Sequence, residues 1–80
     1  MPTDPVNIVV LADGGYRVDG VQLNDVELEE ELQRYGEMRD PPTMSIRADA
    51  ATPYQNVVTL LDLLKQNSLK KIDLVTRPEG

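Results

Sequence analysis

The feature that most constrains the fold is a strand, helix and strand pattern between Pro42 and Thr76. Alternating apolar and polar residues predict strands over 43–49 and 71–76, and an apolar period near 3.6 predicts the helix between them. Two strands joined in this way almost always lie parallel, with a right-handed crossover. A chain of 80 residues is one domain, so the residues before Pro42 are expected to join the same sheet.

The residues from Val6 to Ala12 are nearly all apolar and often β-branched. They predict a central strand that is buried on both faces, or covered by a partner. The Asp13-Gly14-Gly15 step predicts a hairpin to a return strand over 16–18, because glycine adopts positive φ without strain. A phosphate-binding loop is the alternative for these glycines, but neither a lysine nor a helix follows them directly. Asp19-Gly20 then turns the chain, and Val21-Gln22-Leu23 leads to the first helix.

The first helix has a well-defined start and end. Asn24 is a good N-cap and Glu27 stands at the capping-box position, while Asp40-Pro41-Pro42 stops the helix. One narrow apolar stripe is expected, formed by Leu28, Leu32 and Tyr35. Glu27, Glu30 and Glu31 could in principle bind a divalent metal ion. Because no ligands from elsewhere in the chain converge on them, a solvated acidic helix face is the preferred interpretation.

The second helix is expected to begin with Thr52 as N-cap, Pro53 at its first position and Gln55 in a capping box. Its apolar face is predicted to contain Tyr54, Val57, Leu61 and Leu64, with Leu60 and Val58 on the margins. Leu63 falls outside this arc and is either an isolated exposed leucine or part of a contact surface. Asn67 is expected to be the left-handed residue after the helix.

These elements predict an α+β fold, a small ββαβαβ domain with one mixed β-sheet and two helices packed on one face. The expected strand order is 2-1-3-4, counting the four predicted strands along the chain. In the third strand Met44, Ile46 and Ala48 face the helices, and in the last strand Ile72 and Leu74 do so. Arg47 and Asp73 are then expected to share the polar face as a cross-strand ion pair, or to contact a partner or a glycan.

Composition argues against catalysis. The chain has no Cys, His, Trp or Phe, so it lacks the usual imidazole base, thiolate nucleophile and commonest metal ligands, and no histidine is present to activate Ser45 or Ser68. We expect a protein that is not an enzyme and has no cofactor and no bound metal. The net charge of the chain is −6. The residues before Pro42 contain ten acidic residues and three arginines and therefore carry a charge of −7, whereas the residues after it carry +1. Such an acidic surface disfavours nucleic acid as a partner.

The residues of the second half resemble a known family when they are taken in order. They are Ile46-Arg47-Ala48-Asp49, then Tyr54 at a helix start, Val57-Val58-x-x-Leu61-Asp62-x-Leu64, and the closing Lys71-Ile72-x-Leu74-Val75-Thr76. With the Asp-Gly hairpin and the capped helix, this order and spacing resemble the periplasmic domain of the ExbD/TolR family over residues 6–77. Residues 78–80 are then a flexible tail. Residues 1–5 are a flexible segment, either the start of an expressed fragment or a linker from a missing transmembrane helix.

The resemblance implies a subunit of a motor that is driven by the proton motive force in the bacterial inner membrane. Such a subunit is a single-pass membrane protein with this domain in the periplasm. It forms a homodimer, and its transmembrane helix sits in a channel subunit of the ExbB or TolQ type. The domain would engage TonB for energised outer-membrane transport or, in a TolR-like protein, TolA or peptidoglycan. Arg47-Ala48-Asp49 favours an ExbD-like protein, whereas Thr76-Arg77-Pro78 is more similar to TolR.

The same reasoning predicts where a partner or a second subunit binds. A free strand edge accepts an extended peptide by strand addition, and the sheet face opposite the helices carries apolar residues of the first strand. The candidate partner-binding or dimer surface comprises Val9, Leu11, Arg47, Asp49, Tyr54, Leu63, Asp73 and Val75.

Overall fold

A computed structural model describes residues 4–75, which form one five-stranded mixed sheet and two helices. The elements are β1 (Val6–Val10), β2 (Tyr16–Val18), β3 (Val21–Leu23), α1 (Asp25–Gly36), β4 (Met44–Ala48), α2 (Tyr54–Gln66) and β5 (Ile72–Val75). The predicted α+β class is confirmed. Residues 1–3 and 76–80 lie outside the described part, and with them the predicted strand end at Thr76, the domain limit at 77 and the tail over 78–80.

The strand order is β3-β2-β1-β4-β5. β1 lies in the centre, antiparallel to β2 and parallel to β4, and β4 is parallel to β5. The parallel pairing predicted for the strand, helix and strand unit is therefore confirmed, and so is the relative order of the four predicted strands. β3 was not predicted, because only three residues form it and none of them is buried.

The turn between β2 and β3 explains how so short a strand is added. Asp19 and Gly20 both have positive φ, at 49° and 89°, which fits a tight two-residue hairpin turn whose twist matches the flanking strands. The Asp19 backbone N–H donates to the Asn7 carbonyl over 2.8 Å, and the Asn7 N–H donates to Asp19 Oδ1 over 3.0 Å. The turn is thereby fixed against the central strand.

The core lies on one face of the sheet, where both helices contribute to a single buried cluster with alternate strand residues. The fully buried side chains of this cluster include Ile8, Val10, Leu28, Leu32, Met44, Ile46, Leu60, Leu64 and Leu69. On the opposite face of β1, Asn7 is exposed and Val9 is only half-buried. The prediction that β1 is buried on both faces is wrong for the chain by itself, because both helices pack on the same side.

The predicted start of α1 is confirmed. Asn24 Oδ1 accepts from the Glu27 N–H over 2.8 Å, and the Glu27 carboxylate accepts from the Asn24 N–H over 2.9 Å. These two bonds satisfy two backbone donors that a helix otherwise leaves unpaired. Leu28 and Leu32 are buried and Tyr35 packs against the core, as the apolar stripe predicted.

The predicted start of α2 is wrong. Pro53 is the N-cap and no side chain caps the helix, because the Thr52 hydroxyl instead donates to the Val10 carbonyl at the end of β1 over 3.1 Å. The predicted apolar face is rotated as well: Leu60 is fully buried, whereas Tyr54 is 76% exposed. Ser68, with φ of 62°, is the left-handed residue after α2, rather than Asn67, whose φ is −101°.

The two helices approach closely at their C-terminal ends. A Cβ placed on Gly36 would lie 2.3 Å from the Asn67 carbonyl oxygen, a separation that no real side chain occupies. The Asn67 side chain in turn donates to the Leu63 carbonyl over 2.8 Å. Gly36 therefore lets the end of α1 rest directly on the backbone that closes α2.

Candidate interaction surface

The sheet face opposite the helices, called the open face below, carries one row of side chains across all five strands. The strand registers place Gln22, Arg17, Val9, Arg47 and Val75 side by side in that order. Val9 lies between the buried Ile8 and Val10, and Arg17 lies between the buried Tyr16 and Val18, so the side chains of this row point away from the helices. Arg17 and Arg47 are exposed, and Val9 and Val75 are half-buried.

Four candidate residues line one hollow on this face. Val9, Arg47, Asp49 and Val75, together with Ala48, surround a depression of about 380 Å³. Val9 lies on the central strand and Val75 on the edge strand, so the hollow crosses β4 towards the sheet edge. The structure thus brings half of the predicted surface together.

Asp73 belongs to the neighbouring row, opposite Ser45, whereas Arg47 lies opposite Val75. Within residues 4–75 the ion pairs are Arg34–Glu31 and Lys71–Asp40, so the described chain forms no Arg47–Asp73 pair. The predicted pairing is wrong because, in the parallel register of β4 and β5, Arg47 and Asp73 are offset by two positions along the strands. This register could not be read from the sequence.

A second hollow lies at the free edge of β5, between that strand and the start of α2. It has a volume of about 210 Å³, and its lining includes Tyr54, Val57, Leu74 and Val75. Tyr54 is 76% exposed and Leu74 is 43% exposed. Leu74 was expected to be a core residue, and this is wrong because its side chain is partly exposed on β5, an edge strand of the sheet. The tyrosine and the leucine instead form an apolar rim beside a strand edge with which no other strand within residues 4–75 pairs.

Two candidate residues lie apart from these hollows. Leu11 follows β1 at the first hairpin, is half-buried, and accepts the Gly14 N–H through its carbonyl over 3.1 Å. Leu63 is partly buried and packs against the core cluster, so the expectation of an isolated exposed leucine is wrong. Leu63 is consequently the weakest member of the predicted surface.

Sequence reasoning missed Arg17 and Gln22 as members of the open face. The Tyr16-Arg17-Val18 alternation already placed Arg17 on the outer side of the return strand. Its position beside Val9 follows only from the hairpin register. Gln22 was missed because β3 was not recognised as a strand.

The acidic α1 forms a separate surface on the other side of the sheet. The Glu31 carboxylate accepts from Arg34 over 2.6 Å, and the Arg34 guanidinium lies 4.9 Å from the Tyr35 ring centroid. The hydrogen bond and the charge of Glu31 raise the pKa of Arg34. Burial, and secondly the charge of Asp25, raise the pKa of Tyr16. These shifts stabilise the forms already present at neutral pH, so neither creates a proton-transfer group.

The arrangement has the features of a recognition surface. In residues 4–75 no group of three or more His, Cys, Asp or Glu side chains is placed to hold a metal ion. The two helices within that range are too short and too polar to cross a membrane. What the described chain offers is a free edge with an apolar rim, and an open face with two exposed arginines.

Comparison with known proteins gives a consistent result. The family model described as "Biopolymer transport protein ExbD/TolR" matches residues 1–79. Proteins named "Biopolymer transport protein ExbD" from Neisseria gonorrhoeae and from Neisseria meningitidis serogroups A and B are each 33% identical over 82 aligned positions. The alignment covers 99% of this chain and 57% of each relative, so the chain spans little more than half of their length.

Proposed function

Because this chain belongs to the ExbD/TolR family of biopolymer transport proteins, we propose that it is the periplasmic domain of a motor subunit in the inner membrane. In this proposal the whole protein crosses the membrane once and is driven by the proton motive force. Its transmembrane helix, outside the given residues, contacts an ExbB-type channel subunit. The domain dimerises and engages TonB, so that proton flow is coupled to transport at the outer membrane.

The observation that carries the proposal is the free edge of β5 with its apolar rim. An extended partner segment can pair with unpaired strand backbone and gain affinity from main-chain hydrogen bonds, while pockets beside the edge select its side chains. The hollow between Tyr54 and Leu74 is such a pocket. The edge at β3 is shorter, with three residues, so β5 is the preferred site for strand addition.

The second part of the proposed surface is the hollow around Val9 and Arg47 on the open face. It supplies side-chain contacts next to the strand edge, because Val75 lines both hollows. A partner that pairs with β5 can therefore continue across β4 towards β1. This arrangement suits a domain that must hold a protein partner through backbone pairing while the motor moves.

The test is a titration of isotope-labelled domain with a periplasmic segment of TonB, followed by amide chemical shifts. We expect the largest shifts in β5 and at Tyr54, with smaller shifts at Val9 and Arg47. Leu74→Glu should weaken binding, since it places a charge on the apolar rim. Val21→Glu is the matched control, because Val21 is 60% exposed on the opposite edge strand. Shifts confined to the acidic helix α1 would contradict the proposal.

A TolR-like role is the second candidate, favoured by the Thr76-Arg77-Pro78 ending of the sequence, which lies outside the described residues. In that role the domain binds peptidoglycan and TolA and maintains the envelope. Sedimentation of the domain with purified peptidoglycan tests this directly. Retention of the domain in the pellet, combined with no response to the TonB segment, would favour the TolR-like role.

A further inference from the structure

The free edge of β5 presents the backbone of two residues to a partner strand. The Met44 N–H donates to the Lys71 carbonyl over 2.8 Å, and in a parallel ladder a residue bonds to the two neighbours of the residue opposite it. Ile72 lies opposite Met44, and Leu74 stands two positions further along β5. Both residues therefore direct their own N–H and carbonyl groups to the free edge.

A partner residue that pairs with Leu74 places its side chain on the side of the sheet that carries the helices. Leu74 lies opposite the buried Ile46 and faces the same way. It lines the hollow of about 210 Å³ together with Tyr54, Val57 and Asp49; this hollow is called the edge hollow below. An apolar side chain opposite Leu74 therefore enters the edge hollow.

The charge that borders the edge hollow is negative. Among residues 4–75, Asp49 is the one charged side chain that lines it. Asp49 is exposed, and the ion pairs within that range involve other carboxylates, Glu31 and Asp40. Arg47 lines the hollow on the open face rather than this one. The N-terminus of α2 carries a partial charge of only about +0.5, so the lining keeps a net negative charge.

Tyr54 adds a second attraction for a cation. Its side chain is 76% exposed, and the face of an aromatic ring attracts an arginine or lysine placed within about 6 Å of its centroid. The domain already contains one such contact, between Arg34 and the Tyr35 ring at 4.9 Å. A carboxylate and an exposed aromatic ring beside one apolar hollow therefore favour a basic side chain over an acidic one.

We propose that the edge hollow binds an extended segment of a partner protein that carries an apolar residue opposite Leu74 and, two positions away, an arginine or lysine that contacts Asp49 and Tyr54. This rests on the proposed function, since it specifies the chemistry of the segment that pairs with β5. Residues two apart in an extended segment point to the same side and are separated by about 7 Å. Both side chains therefore face the hollow.

The test uses two capped peptides, acetyl-Thr-Val-Thr-Leu-Thr-Arg-Thr-amide and acetyl-Thr-Arg-Thr-Leu-Thr-Val-Thr-amide. With leucine opposite Leu74, the first brings its arginine to the Asp49 end of the hollow when it runs parallel to β5, and the second does so when it runs antiparallel. Each is titrated into isotope-labelled domain and followed by amide shifts. We expect one of them to shift Asp49, Tyr54 and Leu74, with weaker binding at higher salt concentration.

Substituted peptides separate the two contacts. With glutamine in place of arginine, the peptide that binds should lose about 2- to 5-fold in affinity, as expected when an exposed ion pair of up to about 1 kcal/mol is lost. With serine in place of leucine it should lose at least about 5-fold, because the apolar side chain no longer fills the hollow.

Variants of the domain locate the effect. Asp49→Asn and Tyr54→Leu should each weaken binding of the arginine peptide by about 2- to 5-fold and leave the affinity for the glutamine peptide unchanged. Tyr54→Leu keeps an apolar side chain at the rim, so its effect reports on the ring. Asp62→Asn is the matched control, because Asp62 is an exposed aspartate of α2 that does not line the hollow. It should leave the affinity for both peptides unchanged.

Three results would overturn the inference: equal binding of the glutamine peptide, equal loss in the Asp62 variant, or shifts confined to the acidic helix α1. Shifts of Tyr54 and Leu74 with protein concentration alone would assign the hollow to a second copy and overturn it as well. If neither arginine peptide binds while the TonB segment still shifts β5, only this inference is refuted. If the TonB segment fails while an arginine peptide binds, the site for a basic segment remains and the proposed function is refuted.

Discussion

Replacing Gly36 by alanine tests whether the close contact between the helix ends determines the stability of this domain. Gly36 is the last residue of α1 and its φ is not in the left-handed region, so helix propensity alone predicts that alanine stabilises the domain by up to about 1 kcal/mol. The new Cβ, however, would lie 2.3 Å from the Asn67 carbonyl oxygen and 3.3 Å from its carbon. These are backbone atoms, which cannot rotate away.

Overpacking of this kind costs roughly 1–3 kcal/mol, and a separation this short belongs at the upper end. After the propensity gain is subtracted, we expect the free energy of unfolding to fall by about 2 kcal/mol. For a domain of this size that corresponds to a Tm lower by roughly 8–16 °C. Urea unfolding followed by far-UV circular dichroism measures the first quantity, and a thermal scan the second.

Gly15→Ala is the control for this experiment. The nearest atom to a Cβ at Gly15 is Asp13 Oδ1 at 3.2 Å, the end of a side chain that can move, so we expect a change below about 1 kcal/mol. A Gly36→Ala domain that is as stable as the unmodified protein, or more stable, would refute the argument from close approach.

Three further predictions concern single side chains. Asn24→Ala should cost about 1 kcal/mol in unfolding free energy by removing the N-cap, and chemical denaturation showing no loss would contradict the capping box seen here. Leu74→Ala should lower the free energy of unfolding by only about 1 kcal/mol because the side chain is 43% exposed. Leu64→Ala in the core should lower it by about 2–5 kcal/mol. Equal losses in urea titrations of the two variants would show that Leu74 is a core residue. The pKa of Tyr16 is raised in the folded domain, so the contribution of this shift to stability is complete below the unfolded-state pKa near 10 and is lost as pH rises through the higher folded-state pKa. Tyr16→Phe should remove this loss of stability at alkaline pH. If the variant and the unmodified domain have the same stability profile between about pH 9 and 12, Tyr16 is excluded as the source.

The elements that local sequence determines were predictable. The Asn24 and Glu27 capping box depends on residues three apart, and the first glycine-rich hairpin depends on adjacent ones, so neither needs knowledge of the fold. The parallel pairing of β4 and β5 was predictable because a helix connects them, and two neighbouring strands joined by a helical crossover usually lie parallel. β3 escaped prediction because its existence depends on pairing with β2 through the Asp19-Gly20 turn rather than on a buried pattern of its own.

The errors arose where a side chain is used by a distant part of the chain. Thr52 fits a local capping box, yet its hydroxyl bonds to Val10, which is 42 residues away in sequence. Tyr54 and Leu74 fit the apolar periods of their elements, but both lie at the edge of the sheet, where no described element covers them. The open-face row was only partly predicted, because alternation assigns a residue to a face while register decides its neighbours.

The parallel arrangement of β1, β4 and β5 has a mechanical consequence. Tension applied between the start of β1 and the end of β5 acts along the strands, across five paired positions between β1 and β4 and four between β4 and β5. The hydrogen bonds of each ladder are then strained in shear and must yield together rather than one after another. The antiparallel strands β2 and β3 lie outside this path, so the domain can be pulled along its parallel half while its hairpin half stays unloaded.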